Sequence, residues 1–262
     1  MLYKSIKITI FLLLLSIANS GMAQNLQSGI DKYNEQDYAG AMQEWLPLAK
    51  QGNAHAQYYL GLLYMFGNGV EQDFNQAINW YRQAANQGQP QAQTRLGIMY
   101  LDGAGITQSY DEAFSWFSQA AAQGDALAQA NLGALHAYGL GTEKNLPQAV
   151  KWFQQAADQE HVDGQFGLAM LLFRGGDGIT QNHTEAATWF HKAAEQEHVD
   201  ALFYLGVLYE NGFGVSQDYG QAFKWYGEAA TRGSTEALQG IDRVMDVLEA
   251  SNNRRQKPSQ QK

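Results

Sequence analysis

The pentapeptide QEHVD occurs twice, at 159–163 and at 196–200, and brings Glu160, His161 and Asp163, then Glu197, His198 and Asp200, into two short stretches. An imidazole beside carboxylates can do general acid–base work, and the same residue types ligate borderline metal ions. They are equally ordinary at polar helix junctions, where they cap a helix or complement its dipole. The triplet alone does not separate these chemistries, so the elements that hold it must.

A fixed period runs through the chain and sets the meaning of every motif inside it. Leu60-Gly61, Leu96-Gly97, Leu132-Gly133, Leu168-Ala169 and Leu205-Gly206 are spaced 36, 36, 36 and 37 residues apart. After each comes a Gly-x-Gly turn, as at Gly67/Gly69, Gly103/Gly105, Gly139/Gly141, Gly176/Gly178 and Gly212/Gly214. Ala77, Ala113, Ala149, Ala186 and Ala222 then each precede a tryptophan by three: Trp80, Trp116, Trp152, Trp189 and Trp225. A Tyr or Phe follows each Trp, and Trp45 lies one column over in a degenerate leading unit. All six tryptophans therefore belong to the repeat, and core packing is the expected role for them.

Each unit reads as two helices. In the first helix, residues 56, 60, 63 and 64 are the recurrent small or apolar positions, a spacing that marks one face of an α-helix. The Gly-x-Gly turn ends it. The second helix follows a column of Asp37, Asp73, Ser109, Asn145, Asn182 and Asp218, all favoured N-cap residues. Gln76, Glu112, Gln148, Glu185 and Gln221 stand three residues on, as in a capping box. Alanines such as Ala77, Ala84 and Ala85 let helices approach closely.

This pattern resembles the Sel-1-like repeat, a relative of the tetratricopeptide repeat, on LGLLYMFGNGVEQDFNQAINWYRQAANQG and its four successors. The resemblance covers residues 25 to 240. It implies an all-α fold, a right-handed superhelical solenoid of antiparallel helix pairs with a concave surface lined by first helices. The expected division is a signal peptide (1–23), a degenerate leading repeat (24–53), five repeats (54–89, 90–125, 126–161, 162–198 and 199–234), a capping helix (235–250) and a disordered tail (251–262). Ala169 in place of glycine, His136 and Leu172 in the aromatic column, and one inserted residue in GGDG at 175–178 depart from the pattern. Family members mostly hold other proteins, so the resemblance implies an interaction scaffold. At the helix spacing of a solenoid, five and a half repeats imply a groove on the order of 50 Å long.

Charge and composition narrow the partners. Lys4 and Lys7, an apolar run from Ile8 to Ile17 and small residues up to Ala23 read as a secretory signal peptide, too short in its apolar part to span a bilayer. Its removal takes the formal charge from −9 to −11, which disfavours a nucleic-acid partner. The only basic cluster is in the tail SNNRRQKPSQQK. With no cysteine anywhere, an exported chain must be stabilised by core packing alone. The expected product is a periplasmic or secreted protein with no membrane span after processing. A final helix with a polar face closes the array and favours a monomer.

A partner would sit where first-helix columns vary without need from the scaffold. In repeat order these are Tyr58, Tyr59, Met65 and Phe66; Thr94, Arg95, Leu101 and Asp102; Ala130, Asn131, Ala137 and Tyr138; Phe166, Gly167, Phe173 and Arg174; and Phe203, Tyr204, Glu210 and Asn211. Tyr58, Tyr59, Met65, Phe66, Arg95, Asp102, Asn131, Tyr138, Phe166, Phe173, Arg174, Phe203, Tyr204 and Asn211 are the candidate contacts with a protein or peptide. Aromatics and arginine are the usual anchors of such surfaces, with Arg95 and Arg174 as carboxylate clamps. Packing between helices is the competing role, above all for the column of Tyr58.

The enzyme alternative finds little support. The chain has no His-Glu-x-x-His, no Gly-x-Ser-x-Gly and no phosphate loop. A cysteine-rich branch of the resembled family is linked to penicillin binding, but this chain lacks cysteine, and its one Ser-x-x-Lys after the signal peptide is Ser259 to Lys262 in the tail. The expectation is therefore no catalytic residue, no metal ligand and no cofactor; a cell-envelope enzyme and a structural envelope component are the alternatives. QEHVD falls on the junction between units. Glu160 and Glu197 occupy the column of Gly52, Gly88, Gly124 and Gly233, where left-handed backbone costs a glutamate on the order of 1 kcal/mol. His161 and His198 stand at the expected cap of the next helix, with Asp163 and Asp200 in its first turn. A weak metal or pH-sensitive contact between the two junctions is the alternative reading.

Overall fold

The computed structural model describes residues 23–255. The expected signal peptide lies, but for its last residue, outside that range, as does the end of the tail. Thirteen helices fill the described residues: α1 (23–34), α2 (Tyr38–Lys50), α3 (Ala54–Phe66), α4 (Phe74–Ala85), α5 (Pro90–Asp102), α6 (Tyr110–Ala122), α7 (Ala126–Tyr138), α8 (Leu146–Asp158), α9 (Val162–Arg174), α10 (His183–Glu195), α11 (Val199–Asn211), α12 (Tyr219–Thr231) and α13 (Thr235–Arg255). They form two compact units that divide after Asp125, α1–α6 in the first and α7–α13 in the second. Within each unit, consecutive helix pairs pack as a solenoid. Helix α13 continues to Arg255, five residues into the stretch expected to be a disordered tail.

The N-cap column does what its chemistry requires. Asp37, Asp73, Ser109, Asn145, Asn182 and Asp218 each accept a backbone N–H of the following turn. The reciprocal arm of a capping box is supplied differently. The backbone N–H groups of Asp73, Ser109, Asn145, Asn182 and Asp218 donate to carbonyls of the preceding helix, those of Tyr64, Tyr100, His136, Leu172 and Tyr209. A tertiary carbonyl thus takes the role that a Glu or Gln at N3 would play in an isolated helix.

The fully buried aromatic is not the tryptophan of each unit but the ring after it. Tyr81, Phe117, Phe190 and Tyr226 are completely buried and Phe153 nearly so, whereas Trp80, Trp116, Trp152, Trp189 and Trp225 are half-buried. Helix geometry explains this correction. With Ala77, Ala84 and Ala85, position 81 completes an i, i+4, i+7, i+8 face, while position 80 lies at its edge. Two of these edge indoles are covered by lysines, with Lys192 Nζ 4.0 Å from the Trp189 ring centre and Lys224 Nζ 4.7 Å from that of Trp225. Trp45 stands in the column of Tyr81 and is accordingly buried.

Four of the five inner rings of the repeats lie on a glycine of the facing helix, and Phe190 falls to Ala169 in that column. A Cβ on Gly61 would stand 2.4 Å from Tyr81, one on Gly97 2.6 Å from Phe117, one on Gly133 2.8 Å from Phe153 and one on Gly206 2.4 Å from Tyr226. These distances fall far inside van der Waals contact, so the Leu-Gly motif is a packing requirement. Gly97→Ala is therefore expected to lower stability by about 1–3 kcal/mol despite the better helix propensity of alanine, because the buried Phe117 has no room to move. Urea unfolding followed by circular dichroism measures this.

Candidate interaction groove

The two QEHVD stretches are helix junctions. Glu160 and Glu197 have φ of 61° and 63°, in the region that Gly52, Gly88, Gly124 and Gly233 occupy elsewhere. His161 and His198 are the N-caps of α9 and α11. Only His198 caps with its side chain, its Nδ1 accepting from the N–H of Ala201 at 3.2 Å. Its ring stacks on Phe166 with centres 4.3 Å apart, and Nε2 lies 3.9 Å from Asp163 Oδ1. Among the described residues, no group of three or more His, Asp or Glu side chains converges as a ligand set.

Glu197 has a partner that its column does not reveal. Gln57, Gln93, Gln129 and Gln165 are buried, one in each of the first four repeats, and accept hydrogen bonds from Gln87, Gln123, Gln159 and Gln196. Gln57 and Gln93 also donate to the carbonyls of Ala49 and Ala85. In the last repeat this pair becomes Leu202 and Arg232. Arg232, without a buried glutamine to meet, bridges Glu197 at 3.0 Å and Glu228 at 2.6 Å.

The fourteen candidate contacts divide sharply once placed. In the first unit, Tyr59 stacks on buried Trp45 with centres 4.6 Å apart and planes 14° from parallel. Tyr58 leans on Tyr81 and Tyr59, and Met65 packs against the same core; Arg95 is half-buried. Phe66 and Asp102 are exposed. In the second unit, Phe173 packs against Phe190, Tyr204 and Phe213, and Asn211 is exposed and hydrogen-bonded to the carbonyl of Val207. Asn131, Tyr138, Phe166, Arg174, Phe203 and Tyr204 come together around one cavity of about 950 Å³ in the second unit.

The floor of this groove is aromatic and rigid. Tyr204 stacks on buried Phe190 at 5.3 Å and 7°, and Phe203 packs edge-on against Tyr204. Gly167 also lines the cavity, and a side chain there would collide with Phe153. Tyr138 on one rim is 73 % exposed. Arg174, on the same kind of helix end, is exposed and has no ion-pair partner among the described residues.

Charged residues that the variable-column argument missed complete the rim: Lys144, Asp177, Asp163, Asp200 and Glu236. Lys144 stands where the other repeats carry Gln72, Gln108, Gln181 and Gln217, each of which donates to a carbonyl of its preceding helix. Lys144 instead meets Asp177 at 2.7 Å, and that ammonium holds the Asp177 carboxyl below its ordinary value. The extra residue in GGDG makes the meeting possible. Gly176 and Ile179 close a turn by two backbone hydrogen bonds, which projects Asp177 toward the groove. The signal was present in the sequence as an insertion and a Gln-to-Lys change one repeat apart.

Glu210 is withdrawn from any binding strip. Arg243 of α13 grips both its oxygens, at 3.0 and 2.9 Å, and buried Tyr226 donates its hydroxyl to it. These contacts hold the Glu210 carboxyl below 4.5, while burial raises Tyr226.

Comparison with known proteins agrees with this geometry. The Sel1 repeat family model matches residues 54–89, 90–125, 126–161, 162–198 and 199–234. The chain belongs to the Sel1 repeat family. It is similar to the crystal structure of a Sel1 repeat protein from Oxalobacter formigenes, at 32 % identity over 83 % of this chain and 86 % of that one, with a TM-score of 0.77. It is also similar to c5321, a protective antigen present in uropathogenic Escherichia coli strains and displaying an SLR fold, at 33 % identity with a TM-score of 0.78. That match covers 91 % of this chain but only 52 % of the other, so the chain spans about half its length. No curated protein matches the chain. Among the described residues, no helix is long and apolar enough to cross a membrane.

Two outcomes follow for stability. Glu160→Gly is expected to stabilise the protein by about 0.5–1 kcal/mol, since it relieves left-handed strain against a smaller gain in unfolded-chain entropy. Glu197→Gly should gain less, because it also loses the exposed pair with Arg232. Denaturant midpoints of the two variants rank them. The depressed carboxyl of Glu210 contributes stability that is complete above its unfolded value and is lost as pH falls through the lower folded value. Melting temperatures of wild type and Glu210→Gln should therefore differ at neutral pH and converge as pH drops well below 4.5.

Proposed function

We propose that the protein is an exported, non-enzymatic adaptor that holds a partner protein or peptide in the groove of its C-terminal unit. The observation that carries the reading is Tyr138. A large aromatic side chain left 73 % exposed beside a preformed cavity of about 950 Å³ contributes little to the fold and is well placed as an interface anchor. Arg174 adds a guanidinium free to clamp a carboxylate or peptide carbonyls. The stacked floor of Phe166, Phe203 and Tyr204 costs little entropy to bury because its rotamers are already fixed.

Export rests on the signal-peptide pattern of residues 1–23. A monomer is the expected state, with α13 as the closing helix. In the first unit, Phe66 and Asp102 remain candidate contacts, whereas Tyr58 and Tyr59 are committed to packing.

Affinity purification from an envelope extract, with the chain beginning at Gln24 as bait, tests the reading. The double variant Tyr138→Ser, Arg174→Ser should lose the captured partner while its melting curve stays within about one degree of wild type, because both side chains are exposed. Undiminished capture by that variant would show that the groove is not the binding face.

A further inference from the structure

The C-terminal groove is electrostatically lopsided, and the asymmetry says what fills it. Asp163, Asp200 and Glu236 all line it. They occupy one column of the repeat, the second position of α9, α11 and α13, where the earlier repeats have His55, Gln91 and Leu127. The column turns acidic in the fourth repeat and stays so. Three carboxylates thus stand in a row along one edge of the cavity, one per first helix.

Neutralisation within the protein is incomplete. Lys144 is consumed by Asp177. Asp163 faces only the His198 ring at 3.9 Å, and Glu236 accepts only from the hydroxyls of Ser234 and Thr235. Asp200 has no hydrogen-bond or ion-pair partner among the described residues. Four carboxylates against Lys144 and Arg174 leave the lining residues at a net −2. Helix N-termini offset about half a charge each, which reduces the ladder's −3 to roughly −1.5 without changing its sign. Arg174 does not cancel it. Asp163 and Arg174 are eleven residues apart on α9, so the acidic edge and the arginine edge are about 16 Å apart.

Resting on the reading of this groove as a binding face, we infer that its occupant is an extended, basic segment of the partner, with lysine or arginine at every third residue. The register follows from two lengths. Neighbouring packed helices lie roughly 10 Å apart, and an extended chain in the polyproline-II form advances about 3.1 Å per residue with three residues per turn, so every third side chain returns to the same side. Successive carboxylates are therefore met by side chains about three residues apart. Apolar residues between the cations reach the floor of Phe166, Phe203 and Tyr204, so the segment runs across the first helices, along the stacking direction of the unit.

Binding of fluorescent dodecapeptides to the chain beginning at Gln24, followed by anisotropy, tests this. One peptide of glycine, serine and leucine carries lysine at every third position, and its twin carries glutamate there. The lysine peptide should bind at least about tenfold more tightly, weaken as salt is raised, and lose about tenfold with Asp163→Asn, Asp200→Asn. Tighter binding of the glutamate peptide, or lysine-peptide binding unchanged in the Asn variant, overturns the inference. Equal binding of both peptides that is lost in Tyr138→Ser, Arg174→Ser overturns the basic specificity and leaves the groove as the binding face. Failure of the lysine peptide to bind while the groove-dependent partner is still captured has the same meaning.

Discussion

The structure depends on one recurring contact, an aromatic ring of the second helix laid on a glycine of the first. With Cβ-to-ring distances that would fall between 2.4 and 2.8 Å at Gly61, Gly97, Gly133 and Gly206, the helix axes approach more closely than any larger residue permits. Close approach brings the carbonyls of Tyr64, Tyr100, His136, Leu172 and Tyr209 within reach of the next helix's first N–H. It also turns the preceding indole outward to the helix edge. The periodicity of the sequence is thus the periodicity of this contact, and the alanines around it keep the remaining distance equally short. Ala169 is the one exception, and its unit is also the one with an inserted turn and with Gly167 carrying the close approach to Phe153.

A second constraint ties one repeat to the next. Each buried glutamine must have its amide satisfied, since an unpaired polar group there costs about 1–3 kcal/mol. Gln57 and Gln93 do this by donating to the carbonyl end of the preceding second helix and accepting from the glutamine at the end of their own. The exchange at the last repeat shows the same rule from the other side. Once Leu202 removes the buried acceptor, a glutamine at 232 would have nothing to meet. Arginine there finds Glu197, which sits in strained left-handed backbone at the preceding junction. The glutamate where glycine is usual, odd as a single residue, becomes half of an ion pair when the column beside it is considered.

The all-α repeat architecture was legible in the sequence because local and tertiary signals agree there: period, cap residues, glycine turns and apolar faces all favour helix pairs. The junction role of QEHVD was legible for the same reason, down to the sign of φ at Glu160 and Glu197. Burial within the aromatic pair was not. Trp80 and Tyr81 are adjacent, and only the angular position of each around the helix says which is inside. Tyr59 was misleading in a related way. Its column also holds Arg95, Asn131, Gly167 and Tyr204; the rings at 59 and 204 both stack on the buried ring of the preceding repeat, Trp45 and Phe190, and of the two only Tyr204 also lines the cavity. Variability along a column identifies freedom in the column and says nothing of how one member uses it.

The groove shows where the repeat stops dictating the residue. Lys144 breaks a column of glutamines, GGDG adds a residue, Gly167 opens the floor, and the second position of the first helix changes to acid at Asp163, Asp200 and Glu236. These changes add little to the solenoid: the Lys144–Asp177 pair is exposed, where such pairs contribute little, and an acid in the first turn of a helix adds only about 0.3–1 kcal/mol. Tyr138 presents most of its ring to solvent, where it loses the burial that stabilises aromatics elsewhere in the chain. Departures scattered at random would be drift. These departures instead surround one cavity and leave the packing contact intact, the arrangement that the proposed binding face requires, because the scaffold's own demands are already met by the columns that do not change.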